Sequence, residues 1–183
     1  MTLEIPKYVP QGPYPDVGIK RLVEDFRAYL EQLQAMTVNM LEGLQGNYLL
    51  SLPGLAAGST PANVANVAFD FQIAGVKYSK TAIAAGTALA GDNVPQATYG
   101  AWRLEIGVDG TVDIIEAAAN AVGYASADLA LAGLPVVSEG HALMGFVTAI
   151  NSDAVFDPGV TSLEAATVTA TFMDGPTVFQ AIG

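Results

Sequence analysis

The sequence predicts an α+β chain that is mainly β. An extended N-terminal arm and a long amphipathic, coiled-coil-type helix should precede a small antiparallel β-sandwich or barrel. Three observations carry this. Between Asp16 and Leu44, apolar residues recur with alternating spacings of three and four, which is the 3.5-residue period of a coiled-coil seam. Past residue 66, the apolar pattern changes to the two-residue alternation of strands separated by Gly, Asp and Pro turns. Residues 1–15 hold Pro6, Pro10, Pro13 and Pro15, too many for a helix or an interior strand.

The arm is assigned to residues 1–15, with Tyr8, Pro10 and Tyr14 as its anchoring residues. The helix is assigned to 16–45. Asp16 suits its N-cap, Gly43 and Gly46 suit its end, and the seam is Ile19, Leu22, Phe26, Tyr29, Leu33, Met36 and Met40. Val23, Leu30, Leu41 and Leu44 widen that face. Such a face must be buried against something. Three fates are open: parallel self-association, most simply as a trimer, docking on a different protein, or packing on the chain's own β-domain. Residues 46–65, which include SLPGLAAGSTPANVA, have a linker's composition.

The β-rich domain is assigned to 66–183. Phe69, Phe71 and Ile73 alternate with Asp70 and Gln72, and Gly75 precedes Val76 and Tyr78, which is a hairpin pattern. Leu104, Ile106 and Val108 alternate before Asp109-Gly110, and Val112 and Ile114 resume the face, so a two-residue type I′ turn is expected at Asp109-Gly110. Ser126 should cap a short helix over Ala127–Ala132 that ends at Gly133. Two further strands are expected near Ala142–Ile150 and Ala166–Phe172.

Composition narrows the function classes. The chain is 51% hydrophobic and only 14% charged, with a net charge of −11. No apolar run reaches the ~20 residues of a membrane-spanning helix. The N-terminus lacks a basic region followed by an apolar stretch, so no signal peptide and no membrane partner are expected. Residues 46–183 hold three basic and twelve acidic residues, a net of −9, with no basic stripe for nucleic acid. A surface this poor in charge suggests cover by other subunits. There is no cysteine, hence neither disulfide nor thiolate chemistry.

Chemistry-bearing constellations are few. His141 is the single histidine and reads as a strand-end surface residue; a zinc site would need several His or Cys ligands, and no Gly-x-Ser-x-Gly elbow is present for a triad. The carboxylate pairs Asp109/Asp113 and Asp153/Asp157 lie beside turns, where Asp is common for conformational reasons. Trp102 beside Arg103 could be a sugar platform, but a lone Trp at a strand start is more often core. Catalytic residues, cofactor and metal are therefore all expected to be none.

The wording of the β-region resembles tailed-bacteriophage virion proteins of the head-decoration (cement) and head-fibre type. The phrases that carry the resemblance run from Val76-Lys77-Tyr78-Ser79-Lys80 through Tyr99-Gly100-Ala101-Trp102-Arg103-Leu104 and Asp109-Gly110-Thr111-Val112. They continue with Leu131-Ala132-Gly133-Leu134-Pro135, His141 to Val147, Phe156 to Leu163, and Val168 to Pro176. The resemblance implies a non-enzymatic protein, commonly homotrimeric. It would be made in the host cytoplasm and mounted on the capsid surface through an N-terminal part that binds the major capsid protein or another virion protein. The alternative is a receptor- or carbohydrate-binding fibre module, which should show aromatic residues clustered on exposed loops. The family has no catalytic motif, so no functional residue carries over.

Overall fold

The structure is a computed structural model that describes residue 21, residues 23–34 and residues 46–177. The chain divides into two compact units, Met1–Gly43 and Leu44–Gly183.

In the first unit, residues 23–34 are helical (α1). The described helical residues, Arg21 included, fall within the helix expected over 16–45, and residues 23–34 span about 18 Å at 1.5 Å per residue. Residues 16–20, 22 and 35–45 lie outside the described residues, as does the whole arm with Tyr8, Pro10 and Tyr14. Of the seam, Phe26, Tyr29 and Leu33 are described, whereas Ile19, Leu22, Met36 and Met40 are not.

The second unit is mainly β and antiparallel throughout its three sheets. In the first sheet, β1 (Tyr48–Leu49), β4 (Phe69–Ile73) and β5 (Val76–Lys80) lie in the order β1-β4-β5. In the second, β2 (Ala56–Ala57), β3 (Asn63–Asn66) and β6 (Ile83–Ala88) lie in the order β2-β3-β6. In the largest, β7 (Tyr99–Ile106), β8 (Val112–Glu116), β9 (Ala142–Asn151) and β10 (Val168–Asp174) lie in the order β10-β9-β7-β8. A short helix, α2 (Ala127–Ala132), sits in the crossing between β8 and β9.

One hydrophobic core joins the sheets. It takes Leu49, Phe69, Phe71 and Ile73 from the first, Val64 from the second, and Trp102, Leu104, Ile106, Met144 and Val147 from the third. The alternation of Phe69, Phe71 and Ile73 faces that core as expected. The hairpin closes through Ala74 and Gly75, both at positive φ (49° and 83°), which suits the right-handed twist of the flanking strands. Trp102 is fully buried. Its ring packs at 5.4 Å from Phe156, and Nε1–H donates to Ala90 O at 3.0 Å. It is a packing residue, and no sugar could stack on it.

Two expectations require correction. Residues 46–65 are no linker: they carry β1, β2 and part of β3, and they place Leu49, Leu55 and Val64 in the core. Strands of two to four residues are too short to show a period, and their Ser, Gly, Pro and Ala content hides them. The second correction concerns the β7–β8 connection, where Ile106 is opposite Val112 and five residues intervene. Gly110 N–H donates to Gly107 O at 3.0 Å, so Val108 and Asp109 form the turn centre and Gly110 follows at φ 76°. This is a three-residue turn with a left-handed glycine, not a two-residue type I′ turn. Val108 consequently points to solvent and does not join Leu104 and Ile106.

The α2 expectation matches the structure residue by residue. Ser126 Oγ accepts from Leu129 N–H, and Gly133 ends the helix. β9 carries a bulge at Met144–Gly145, since Leu104 faces Gly145 while Glu105 faces Leu143. A side chain at Gly145 would collide with Met173 O, so only glycine lets β10 pair at this point.

The fold predicts a truncation boundary. A chain beginning at Asn47 should unfold cooperatively, since every core residue named above is retained. One beginning at Ala65 loses Leu49, Leu55 and Val64, each worth about 2–5 kcal/mol when truncated in a core. It should give no cooperative thermal transition by circular dichroism.

Candidate functional site

Two features stand out from the fold: an apolar helix face and a buried charged corner on the main sheet.

On α1, Val23, Phe26, Tyr29, Leu30 and Leu33 fall within about a third of the helix circumference at 100° per residue. Glu24, Asp25, Arg27, Glu31, Gln32 and Gln34 occupy the remainder. The face is largely uncovered: Val23 is 61% exposed, Phe26 62% and Leu30 48%, with Leu33 half-buried. Burying one such side chain fully contributes about 1.5–3 kcal/mol. The second unit already has its own closed core, so this stripe is the larger unmet demand for burial among the described residues.

The charged corner lies on β7. Ala101, Arg103 and Glu105 alternate with the core residues and point to the opposite face of the sheet, yet all three are buried. The connection from β8 to β9 folds over them. Ala117 and Ala130 pack on Ala101, flanked by Tyr99, Tyr124, Leu131 and Leu134. The Asn120 side chain extends the ladder beyond β8: its Oδ1 accepts from Ala101 N–H (3.1 Å) and its Nδ2 donates to Ala101 O (3.2 Å). Further along, the Arg103 guanidinium donates to Glu105 Oε1 and to Pro135 O. Glu105 Oε2 accepts from Ser138 N–H at 3.0 Å. The ion pair thus holds residues 135–138 down on the sheet. The sequence Trp102-Arg103-Leu104-Glu105-Ile106 reads as a strand with one wet face. Its charged face is instead dry, because the Pro135–Ser138 segment supplies a carbonyl and an amide in place of water.

At the rim of this corner sits His141. Nδ1 contacts Glu139 O and Nε2 contacts Asp113 Oδ2, each at 3.0 Å. The histidine pKa is raised by the Glu139 carbonyl, which outweighs partial desolvation, and then by the Asp113 carboxylate. Both ring nitrogens face acceptors, so the ring is best satisfied as the imidazolium, and neither nitrogen is left to take a proton from a nucleophile. Asp109 is drawn away from Asp113 to its own turn: it accepts from Thr111 N–H (2.9 Å) and Thr111 Oγ1–H (2.8 Å), which lowers its pKa. At the other carboxylate pair, Asp153 and Asp157 backbone amides donate to Asn151 Oδ1 and Thr161 Oγ1, an arrangement of turn residues. Among the described residues no three His, Asp or Glu side chains converge as metal ligands.

A shallow depression of about 310 Å³ is lined by Ser51, Phe69, Asp70, Ser79 and Lys80. Its polar groups already have partners. Asp70 pairs with Lys77 at 2.8 Å and accepts from Ser79 Oγ–H at 2.6 Å, both of which lower its pKa, and Lys80 Nζ donates to Gly110 O at 2.6 Å.

Comparison of the chain with protein-family models, curated proteins and solved structures finds no match.

Two outcomes follow from the corner. Arg103→Met leaves Glu105 buried and unpaired and should destabilise the protein by about 3–5 kcal/mol. The double change Arg103→Met with Glu105→Leu should recover most of that loss, since it removes both charges together; chemical denaturation of the two variants checks it. Because the native pKa of His141 is raised, the folded state holds its proton more tightly than the unfolded chain does. The stabilisation is therefore fully present below about pH 6.5 and is lost as pH rises through the native pKa. Thermal unfolding should shift to lower temperature between pH 6 and 8, and His141→Gln, which removes the one histidine, should flatten that dependence.

Proposed function

We propose that the chain is a non-enzymatic virion structural protein that decorates or cements a phage capsid. In this reading the arm and helix attach it, and the acidic β-domain faces outward. The continuous seam from Ile19 to Met40 brings copies together, as a homotrimer, and the arm residues Tyr8, Pro10 and Tyr14 engage the major capsid protein or another virion protein.

The observation that carries the reading is the uncovered stripe on α1 in a chain whose β-unit has a hydrophobic core of its own. Val23, Phe26 and Leu30 are exposed, whereas Trp102, Phe71, Phe156 and Leu49 are fully buried in the core of the β-unit. Charge distribution supports the orientation. Four of the seven basic residues lie in the first 45 positions, and the acidic excess lies beyond them, where it keeps particles apart. The fibre-module alternative wants aromatic rings on exposed loops. Among the described residues of the β-unit, the large exposed apolar side chains are aliphatic, such as Val76, Val122, Val136 and Val160, which favours decoration.

Phe26→Asp with Leu30→Asp places charge in the seam and should reduce the mass measured by light scattering to that of one chain. The same variant should no longer co-sediment with heads that lack the protein. Unchanged mass and unchanged head binding would remove the helix from both roles.

A further inference from the structure

We propose that residues 135–140 are a strap, clipped onto the main sheet by His141, that opens locally when the His141 ring gives up its Nδ1 proton. The inference concerns the β-unit alone and does not rest on the capsid reading.

Every residue of the strap is exposed, Val136 at 90%. None of them contributes a side chain to either hydrophobic cluster. The segment nevertheless covers Arg103 and Glu105, both of which are buried. What holds it is therefore polar. At one end Pro135 O accepts from the Arg103 guanidinium. In the middle Ser138 N–H donates to Glu105 Oε2 at 3.0 Å. At the other end a tight turn closes: His141 N–H donates to Ser138 O at 3.2 Å, with Gly140 at φ 74°. That turn sets the direction of Ser138, and so of the amide that meets Glu105. Beyond the strap the chain is anchored again, by Leu134 beside Ala101 and by Ala142 in the main core. An opening between those anchors leaves the rest of the domain packed.

The His141 ring locks the turn to the sheet. Nδ1 meets Glu139 O inside the turn, and Nε2 meets Asp113 Oδ2 on β8, each at 3.0 Å. The ring lies against Gly107, where a Cβ would come within 3.2 Å of Nε2. Both partners are acceptors, so both ring nitrogens must carry hydrogen. A neutral imidazole has one N–H. It keeps the bond to the carboxylate, the stronger acceptor, and Nδ1 is left as a lone pair facing the Glu139 carbonyl. Two acceptors in contact repel each other. The turn then loosens, and the Ser138 amide leaves Glu105 with it.

The surrounding charges set the direction of the response. Asp113 faces the ring from β8, Glu105 from β7, and Asp109 from the β7–β8 turn. The nearby cations are engaged elsewhere: Arg103 with Glu105, and Lys80 Nζ with Gly110 O on the same turn. The Glu139 carbonyl, then the Asp113 and Glu105 carboxylates, hold the proton more tightly than in an ordinary histidine. The strap is therefore closed below the ordinary histidine pKa of about 6.5 and loosens as pH rises through the higher native value.

The test follows the Ser138 amide of the full chain by hydrogen exchange, expressed as a protection factor so that the intrinsic pH dependence cancels. The His141 ring is titrated by NMR in the same samples between about pH 5 and pH 9. Ser138 protection should be level at low pH. It should then fall about tenfold, the weight of one hydrogen bond to a charged group, at the midpoint of the ring titration. The Ala101 amide, held by Asn120 Oδ1 under the same connection, should show no step. Asp113→Asn should move the ring midpoint and the Ser138 step to lower pH together, which a merely structural role would not do. His141→Gln should abolish the step. Ser138 protection that stays level through the ring titration would overturn the proposal. So would a step that survives His141→Gln, or one that stays in place while Asp113→Asn moves the ring midpoint.

Discussion

β7 is buried on both faces, and the rest of the β-unit is arranged to make that possible. Its even-numbered side chains, Trp102, Leu104 and Ile106, fill the core shared by three sheets. Its odd-numbered ones, Ala101, Arg103 and Glu105, are equally dry. A strand that is dry on one side through hydrophobic packing and on the other through an ion pair needs two separate covers. The first comes from the hairpin of β4 and β5 with β1 and β3, and the second from the long connection between β8 and β9. The ion pair is not a strong source of net stability, because desolvation offsets most of its attraction. It fixes position: a displaced connection would strand a buried guanidinium and a buried carboxylate. The Pro135 carbonyl and the Ser138 amide are the groups that make a single placement acceptable.

Legibility followed the length of each pattern. The hairpin at 69–80, α2 with its Ser126 cap, and the strand beginning at Ala142 were readable because each has either several alternations or a cap with a side-chain mechanism. The same cannot be said of 46–65, where two-residue strands leave no period and core membership rests on isolated residues such as Leu49 and Val64. The β7–β8 turn was half legible. Gly110 had to be left-handed, and it is, but the number of residues in the turn depends on the β7–β8 register, in which Ile106 faces Val112, and the Asp109-Gly110 pair alone does not specify that register. Arg103 and Glu105 were not recognisable as buried, because alternation with apolar residues describes a half-wet strand equally well. The apolar Leu134-Pro135-Val136-Val137 run gives no signal either, since Val136 and Val137 are exposed and the contacts to the ion pair come from the Pro135 carbonyl and the Ser138 amide.

The charge pattern separates the surfaces by what they can meet. The acids that lie in strands each have a partner: Asp70 on β4 pairs with Lys77, Glu105 on β7 with Arg103, and Asp113 on β8 with His141. β10 has been kept free of them apart from Asp174, whose carboxylate is committed to Leu55.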